Sequence, residues 1–573
     1  LDKVATAAGA TIIKIDLKLR DFSAQAVQAF AIFVFQTLLQ HLSQTVTPEI
    51  MAPYLKRLDD DIAECSSLAT CIDHRKMDSI TSTRMRLPKR MYGGAVRNQV
   101  EVSTAAYVGG ILMSMPMMLD ATSADGTVVP GFMPSLEPLL GVGSFNHDRK
   151  SERFLKFISM SETSTQSAAF YSAWIDLQAA ATDANGKRPE SGMLSEEACA
   201  AGLMNGIAAE KPQKQLTRER EEVTFDKLQM EIDALPAVNG TCDRRKLAFF
   251  EADRFSTAFV GSMPKSGEAI GNTHLGLIYA AYYGVAPSCL THHVGKLKCH
   301  GGRPLDKYGD NLACANMVGD GWRRRHDHIK WCIDAVLSYA EIEHVTEVMG
   351  LFVTSIKQEA TGEWTQQQRQ GLVPDFAVTP RNNGPVELWE LKTISQSVSY
   401  FNRVGAGRCS GVAKRAGTIH SEYVQKAAKV DREINGDDVS GGRLGRMGKR
   451  LAEFGQVRGI AVGPRGEMSG DAHSLVDMIA SKASERKWRR MGARNPIEAR
   501  AIVKNFVTRK IGIVAVRANA ALITDRFGIL QSDGPTACRR RTDAKEADRR
   551  AAEEYEAYFA RGQGGHGGGR SRQ

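Results

Sequence analysis

Three side chains near residue 380 have the types and spacing for metal-assisted chemistry on water. Asp375 follows Pro374, and fourteen residues separate it from Glu390, which lies two residues before Lys392. Two carboxylates that converge at strand ends are hard oxygen ligands suited to Mg²⁺. A lysine beside them can orient or deprotonate a water that the metal has acidified. The pattern therefore predicts Mg²⁺ held by Asp375 and Glu390, with Lys392 acting on the water.

The segment that carries these residues has the pattern of a β-hairpin. Two apolar runs, LVPDFAV and VELWELKTI, flank residues 379–385, where Pro, Asn and Gly favour a turn. In that hairpin Asp375 lies at the start of one strand, while Glu390 and Lys392 share one face of the next. Such short motifs also recur by chance, so a surface strand with a solvated Glu and Lys is the alternative interpretation.

The elements around the hairpin predict an α/β domain. RRRHDHIKWCIDAVLSYA is an amphipathic helix pattern whose apolar face holds Ile329, Cys332, Ile333, Val336 and Leu337. LFVTSIK (351–357) follows as a strand that ends near Glu359, which is the candidate for an additional acid. After the hairpin come a helix over 411–434 and a strand in VRGIAVGP. The predicted order is helix, three strands, helix, strand.

This pattern resembles the PD-(D/E)xK core of restriction-like endonucleases, and the αβββαβ order is the one expected for that family. Two other stretches, LPKRMYGGAVRNQVEVSTAAY and RFSTAFVGSMPKSGEAIGNTHLGLIYAAYYGVA, resemble segments of non-LTR retrotransposon proteins that carry such a nuclease. The resemblance covers residues 85–119 loosely and 215–523 more fully. It implies an enzyme that nicks target DNA, leaving a 3′ end from which a reverse transcriptase primes. No polymerase site is visible in this chain.

The same resemblance implies residues that touch nucleic acid. An arginine-histidine pair heads the helix that opens the nuclease domain, and Arg324, Arg325 and His326 occupy that place. His326 is expected to contact a phosphate or to close the preceding knuckle, or else it is a helix-start histidine without a ligand. Three residues of the helix after the hairpin are candidates for contacts to the DNA backbone, with a purely structural helix as the alternative: Tyr423, Lys426 and Arg432.

Residues 288–322 are rich in zinc-ligand types. The candidate zinc ligands are Cys289, Cys299, His300 and Cys314, although no CxxC pair is present. The segment resembles the family's cysteine and histidine knuckle. It keeps Asp306, Gly309 and Cys314 of the knuckle signature but has Asn311 where the family has a histidine. A metal-free structural knuckle is therefore the alternative to zinc.

Charge and cysteine usage limit the partners and the compartment. The net charge is +10 and the pI about 9.0, which favours polyanionic partners, with nucleic acid first and an anionic membrane surface second. The predicted partners are DNA and element RNA, with no membrane. Solvated basic faces that bind no partner are the alternative. Ten cysteines without a repeating spacing indicate a reducing compartment, either nucleus or cytoplasm. Residues 26–39 form the most apolar run, predicted to be a buried helix and not a membrane span or a secretory signal.

The predicted organisation combines an α-rich beginning with the α/β core. Asp59, Asp60 and Asp61 are expected on a solvated helix face, and the first residue, Leu1, suggests a fragment of a longer product. Two rivals to an active nuclease remain: a catalytically dead nucleic-acid-binding remnant, and a structural protein. The predicted segments are 1–180 (α-rich, post-polymerase), 181–214 (linker), 215–287 (helical), 288–322 (knuckle-like), 323–525 (nuclease) and 526–573 (basic, partly disordered tail).

Overall fold

A computed structural model shows a mixed helix-and-sheet protein, which confirms the α/β class. The residues that it describes divide into two compact units. One comprises Leu1–Leu235 and Val260–Pro264, and the other Pro236–Phe259 and Lys265–Gln573. The predicted helical region 215–287 thus contributes to both. The structure describes residues 1–119, 165–182, 193–194, 211–237, 242–299, 303–315, 317, 319–347, 351–357, 364–368, 372–380, 384–396 and 409–533.

The first unit is helical throughout its described part. A stripe of apolar residues at helical spacing is buried along its 23-residue helix α4, which packs against α1, α2 and α6. Helix α6 in turn packs against α7 and α8. The helices are α1 (Asp2–Leu19), α2 (Ala24–Phe33), α3 (Gln40–Ser43), α4 (Pro48–Thr70), α5 (Ser79–Arg86), α6 (Gln99–Leu119), α7 (Thr165–Ala180) and α8 (Pro212–Asp233), with 3₁₀ turns at Phe35–Thr37, His74–Lys76 and Lys89–Met91.

Residues 24–43 are, by length and composition, apolar enough to cross a membrane, and no other helix in the described ranges is. In the structure this stretch is divided into α2, a 3₁₀ turn and α3, and half of it is buried inside the protein. Val27, Ala29 and Ala31 contribute to the core of the first unit. About half of this apolar run therefore packs against protein, whereas Phe33 and Val34 are exposed.

The second unit surrounds its sheet with helices. Its longest helix, α17, packs against α10, α12, α13 and α16. Two short 3₁₀ turns lie at Ser440–Gly442 and Arg489–Met491. The helices are α9 (Arg244–Phe250), α10 (Asn272–Tyr283), α11 (Ser288–Thr291), α12 (Asp310–Cys314), α13 (Gly321–Tyr339), α14 (Ser410–Glu433), α15 (Arg446–Glu453), α16 (Gly470–Lys487) and α17 (Pro496–Asp533).

Four strands form the main sheet in the order β1-β4-β5-β6, and two more form a separate hairpin. Strand β4 is antiparallel to both β1 and β5, whereas β5 and β6 are parallel. The strand predicted at 351–357 is present as β2, but it pairs with β3 outside this sheet. Strand β1 therefore occupies the position in the main sheet that was expected for the predicted strand. The strands are β1 (Glu343–Thr346), β2 (Val353–Lys357), β3 (Trp364–Gln368), β4 (Phe376–Thr379), β5 (Glu387–Thr393) and β6 (Arg458–Val462).

Strand β5 is buried on both faces because helices cover each side of the sheet. Trp389 and Leu391 belong to the core formed with α13, α16 and α17. Leu388, one residue away and therefore on the other face, packs with Ile419 and Tyr423 of α14. Residues 388–391 are consequently held rigidly between two layers of helix.

Candidate functional site

The hairpin of β4 and β5 sets Asp375 beside Glu390. Phe376 pairs with Trp389, so the residue that precedes β4 lies next to the middle of β5. The Leu391 N–H donates to Oδ2 of Asp375 at 2.8 Å, and the Asp375 N–H reaches Oε2 of Glu390 at 3.4 Å. The hairpin predicted from the turn formers is confirmed, and it brings the two predicted carboxylates together.

Glu390 is 5% exposed although it carries a carboxyl group. Its Oε1 forms an ion pair with Lys392, as expected for residues two apart on one strand face. Its Oε2 accepts a hydrogen bond from the hydroxyl of Tyr423 at 2.7 Å. Burial and then the charge of Asp375 raise the pKa of Glu390, against the opposing effect of Lys392 and Tyr423. A cation near both carboxylates would relieve this cost.

Asp375 contacts the imidazole of His326, which lies near the start of α13. Nε2 of His326 is 3.3 Å from Oδ2 of Asp375 and 3.2 Å from the carbonyl oxygen of Leu391. Burial alone would raise the pKa of Asp375, but His326, the Leu391 N–H and Lys392 outweigh it and lower that pKa. Burial disfavours the imidazolium, yet hydrogen bonds with Asp327 and Asp375 raise the pKa of His326 to about 9. A single N–H group thus lies where two oxygens converge.

These oxygens are of the type that Mg²⁺ prefers. Asp375 and Glu390 supply carboxylates and Leu391 a main-chain carbonyl, and Mg²⁺ is usually bound by one or two carboxylates with further oxygens from water or substrate. Oδ2 of Asp375 and the Leu391 carbonyl oxygen already converge on Nε2 of His326, so a cation bound by these oxygens would replace the contacts of that imidazole. Within the described ranges, no three His, Cys, Asp or Glu side chains cluster as a metal site.

A main-chain hydrogen bond holds the segment around Asp375, and ion pairs hold the residue that donates it. The Glu347 N–H donates to the carbonyl oxygen of Asp375 at 3.0 Å, directly after β1. The carboxylate of Glu347 pairs with Lys330, which is buried on α13 and lies 3.9 Å from Asp327. Asp327, Lys330 and Glu347 were not among the site residues predicted from the sequence. The i, i+3 spacing of Asp327 and Lys330 was the available signal.

The predicted nucleic-acid contacts lie in different environments. Arg324 is exposed and pairs with Asp525 at 3.3 Å, whereas the neighbouring Arg325 is only 4% exposed. Lys426 and Arg432 are exposed on α14. Tyr423 is buried on the same helix, with the Lys426 ammonium 5.7 Å from the centre of its ring, and its hydroxyl donates to Glu390. Glu359, the predicted additional acid, lies outside the described residues.

The predicted zinc ligands differ in their exposure. Cys289 is exposed, Cys299 is buried in an apolar cluster with Leu305 and Leu312, and His300 lies outside the described residues. Burial raises the pKa of the Cys314 thiol, and its Sγ lies 3.4 Å from the carbonyl oxygen of Gln396. Of these thiols only Cys299 is packed among apolar side chains, whereas Cys289 and Cys314 are exposed.

The residues that resemble a knuckle signature have a local role. Both carboxylate oxygens of Asp306 accept main-chain N–H groups, with Oδ1 bound to Tyr308 and Asp310 and Oδ2 to Asn311. Gly309 has φ +79°, a backbone conformation that glycine adopts without strain. The Asn311 side chain donates to the Pro304 carbonyl at 2.9 Å. Asp306 thus stabilises the start of α12.

Comparison with known proteins adds nothing to these observations on the site. No protein-family model matches the chain, and no curated protein matches its sequence.

Proposed function

We propose that this chain is a Mg²⁺-dependent DNA endonuclease of retroelement origin that nicks one strand of a target. The observation that carries the proposal is the hairpin register, which sets Asp375 beside Glu390 with Lys392 adjacent. On this proposal α13, the four-stranded sheet and α14 correspond to a PD-(D/E)xK core. DNA is the partner, element RNA is a further one, and the compartment is the nucleus or the cytoplasm.

In this proposal each residue has a separate task. Mg²⁺ held by Asp375 and Glu390 would acidify a bound water and neutralise charge on the phosphate oxygens. Lys392, which is a third exposed beside the buried Glu390, orients that water. The water oxygen would bond to phosphorus as one of its protons passes to solvent, the P–O3′ bond would break, and O3′ would take a proton from solvent. The products are a 3′ hydroxyl suited to priming and a 5′ phosphate.

His326 acts in this proposal as a positioning residue. Its Nδ1 faces Asp327 at 3.1 Å, which fixes the ring so that Nε2 points at Asp375. The held imidazole restricts Asp375 to an orientation in which its carboxylate lies beside Glu390. Pre-organised ligands of this kind lower the entropy lost when the site binds its substrate.

The test is nicking of supercoiled plasmid in Mg²⁺ by the purified chain. Asp375→Asn, which keeps the shape of the side chain, and Lys392→Ala should each slow nicking by about a hundredfold or more. Glu485→Gln, a change at an exposed residue of α16, is the matched control and should nick at the normal rate. Normal nicking by Asp375→Asn would contradict the assignment of the site.

One observation favours the catalytically inactive remnant instead. Both carboxylates are already engaged by cationic groups of the chain itself, Glu390 by Lys392 and Asp375 by His326. Self-neutralised carboxylates need no metal to remain buried. If this reading holds, the chain binds DNA with strong salt dependence but cuts none in Mg²⁺, and Asp375→Asn leaves the DNA affinity unchanged.

A further inference from the structure

A second group of cationic side chains surrounds a cavity beyond the carboxyl ends of the parallel strands. Ser395 and Gln396 follow β5, Pro464 and Arg465 follow β6, and all four line a cavity of about 70 Å³. Crevices outside the carboxyl ends of parallel strands are where open α/β sheets bind ligands. Further lining residues come from α13, α17 and the N-terminal end of α9, among them Arg325, Asn519 and Arg244.

The volume of the cavity limits what it can hold. Sites for whole cofactors and drug-sized ligands measure about 300–1,000 Å³. A cavity of about 70 Å³ holds only a few water-sized groups. A single small polar group therefore fits, whereas a base or a sugar does not.

Arg325 lines the cavity, and one of its buried hydrogen-bond donors has no partner in the described part of the chain. Its Nη2 donates to the Thr393 hydroxyl at 2.8 Å and its Nη1 to Oδ1 of Asn519 at 3.2 Å. Its Nε–H is buried and makes no hydrogen bond to any described residue. A buried donor without an acceptor is destabilising, so an acceptor brought within its reach from outside the chain would be stabilised.

Two more arginines reach the cavity from other directions. Arg244 pairs with Asp310 and stacks on the ring of Tyr308, with its guanidinium 4.7 Å from the ring centre. Arg465 donates to Oε1 of Gln396 at 2.8 Å. Among the described lining residues the charges are these three arginines and the single carboxylate of Asp310. The lining therefore has an excess of positive charge.

Carboxyl groups behind the lining offset part of that excess, with Asp306 acting on Arg244, and Glu251 and Glu467 acting on Arg465. Glu467 lies 3.7 Å from Arg465, but burial raises the pKa of Glu467 to about 8 against the effect of Arg465. Burial, followed by the charge of Arg465, lowers the pKa of Arg244 to about 9. Burial and the charge of Arg526 lower that of Arg325 to about 10. The buried guanidinium groups repel one another, and an anion between them would relieve the repulsion.

We propose that this arginine-lined cavity binds a phosphate group. Phosphate offers several acceptor oxygens at once, and guanidinium groups recognise it through paired, charge-assisted hydrogen bonds. Arg325, Arg244 and Arg465 approach the cavity from three separate parts of the chain, so together they surround one tetrahedral anion. The proposal does not depend on the endonuclease activity and stands or falls separately from it.

The test is isothermal titration of the full chain with inorganic phosphate, with chloride at the same ionic strength as the reference. Saturable binding of phosphate is expected. Arg325→Gln should weaken that binding by about tenfold or more, because it removes a charge-assisted donor. Arg500→Gln, at an exposed arginine of α17 away from the cavity, is the matched control and should bind within about twofold of the unaltered chain.

A second variant tests the proposal even if Arg325→Gln does not fold. Gln396→Glu keeps the size of the side chain and places a carboxylate next to Arg465, so it supplies an internal anion. We expect it to fold with an unchanged or higher Tm and to lose phosphate affinity by about tenfold or more. Absence of saturable binding to the unaltered chain, or equal binding by Gln396→Glu, would overturn the proposal.

Competition shows where the phosphate comes from. A short oligonucleotide with a 5′ phosphate and the same oligonucleotide with a 5′ hydroxyl are each added to the phosphate titration. Competition by the phosphorylated form alone identifies a strand end, and equal competition by both identifies the backbone. If neither competes while inorganic phosphate binds, the ligand is a free phosphate compound. Each of these results supports a phosphate site.

Discussion

The hydroxyl of Tyr423 on α14 donates a hydrogen bond to Oε2 of Glu390 on β5 at 2.7 Å, and it also lies 3.2 Å from the carbonyl oxygen of Val373. One hydroxyl therefore joins a helix to the strand that carries Glu390 and to the segment that leads to Asp375. Burial and the negative charge of Glu390 raise the pKa of Tyr423, so the phenol stays protonated and remains a donor. The two carboxylates are held in register by a residue 33 positions further along the chain.

Tyr423→Phe tests this link. We expect the free energy of unfolding to fall by about 1.5–3 kcal/mol, because a buried hydrogen bond to a charged group is lost. The same loss raises the pKa of Glu390 further, so nicking should require more Mg²⁺ for half-maximal rate. A Mg²⁺ titration of nicking measures this. Tyr339→Phe, at a residue of α13 outside the site, is the control, and an identical Mg²⁺ dependence in both variants would contradict the role of the hydroxyl.

Two substitutions of Trp389 distinguish the stability lost with core packing from the effect of its unsatisfied hydrogen-bond donor. Trp389 is 1% exposed, and its Nε1–H makes no hydrogen bond within the described part of the chain. Trp389→Ala should lower the free energy of unfolding by about 3–5 kcal/mol, because it leaves a cavity in the core. Trp389→Phe should cost less than half as much, since it also removes an unsatisfied donor. Urea unfolding compares the two, and equal costs would refute the distinction.

Glu467 makes stability depend on pH. It is fully buried, and burial raises its pKa to about 8, above the usual value for glutamate. The folded state therefore binds this proton more tightly than the unfolded state, and the stability that it confers is lost as pH rises from about 4.5 to about 8. Glu467→Gln should flatten that loss while its amide oxygen still accepts the Arg465 N–H. Urea unfolding across this range measures the slope, with Glu485→Gln expected to leave it unchanged.

Asp59 is the residue of the acidic run that stabilises structure in the first unit. Its carboxylate accepts the N–H groups of Gln99 and Val100 at the start of α6, at 2.8 and 3.2 Å. Asp59→Ala should lower the free energy of unfolding by about 1 kcal/mol, as for other lost helix caps. Asp60→Ala, at the exposed neighbour, should change it by less than about 0.5 kcal/mol. Equal effects of the two changes in urea unfolding would contradict the capping role.

Lys426 and Arg432 test whether α14 faces DNA. Both are exposed on the helix that supports Glu390. If each contacts one phosphate, each change to alanine should reduce the slope of log affinity against log salt by about 1. Lys482→Ala, on α16, is the control and should keep the slope. Fluorescence anisotropy at several salt concentrations gives the slopes, and unchanged slopes for Lys426→Ala and Arg432→Ala would exclude this face.

Local pattern was enough to predict the hairpin and α13. Turn-forming residues between two apolar runs fix β4 and β5, and α13 buries the five apolar residues that its periodicity indicates. Tyr423 carried a usable signal as well. It lies four residues after Ile419 and four before Ala427, both buried, so helical spacing places it in the core. It was instead grouped with the exposed residues Lys426 and Arg432 as a candidate contact to the DNA backbone.

Other parts of the site depend on contacts that no local pattern contains. Strand β1 has four residues, half of them exposed, and it forms only because β4 pairs with it. His326 reaches Asp375 across 49 positions of sequence. Asp59 was expected to be solvated, like its neighbours, because the N–H groups that it caps belong to a helix 40 positions away. Long-range pairing is what propensity and periodicity omit.

Strand β5 lies between two hydrogen-bonded neighbours, β4 and β6, and this position determines which parts of the sheet open last. Amides in a central strand exchange with solvent only through opening that approaches global unfolding, whereas short edge strands fray first. Glu390 and Lys392 lie on the central strand, and β1 is an edge. Local fluctuations at the rim therefore leave Glu390 and Lys392 in place, whereas Asp375, whose carbonyl oxygen accepts the Glu347 N–H directly after β1, is closer to the edge. Displacement of Glu390 and Lys392 and loss of the whole second unit should occur in the same cooperative step.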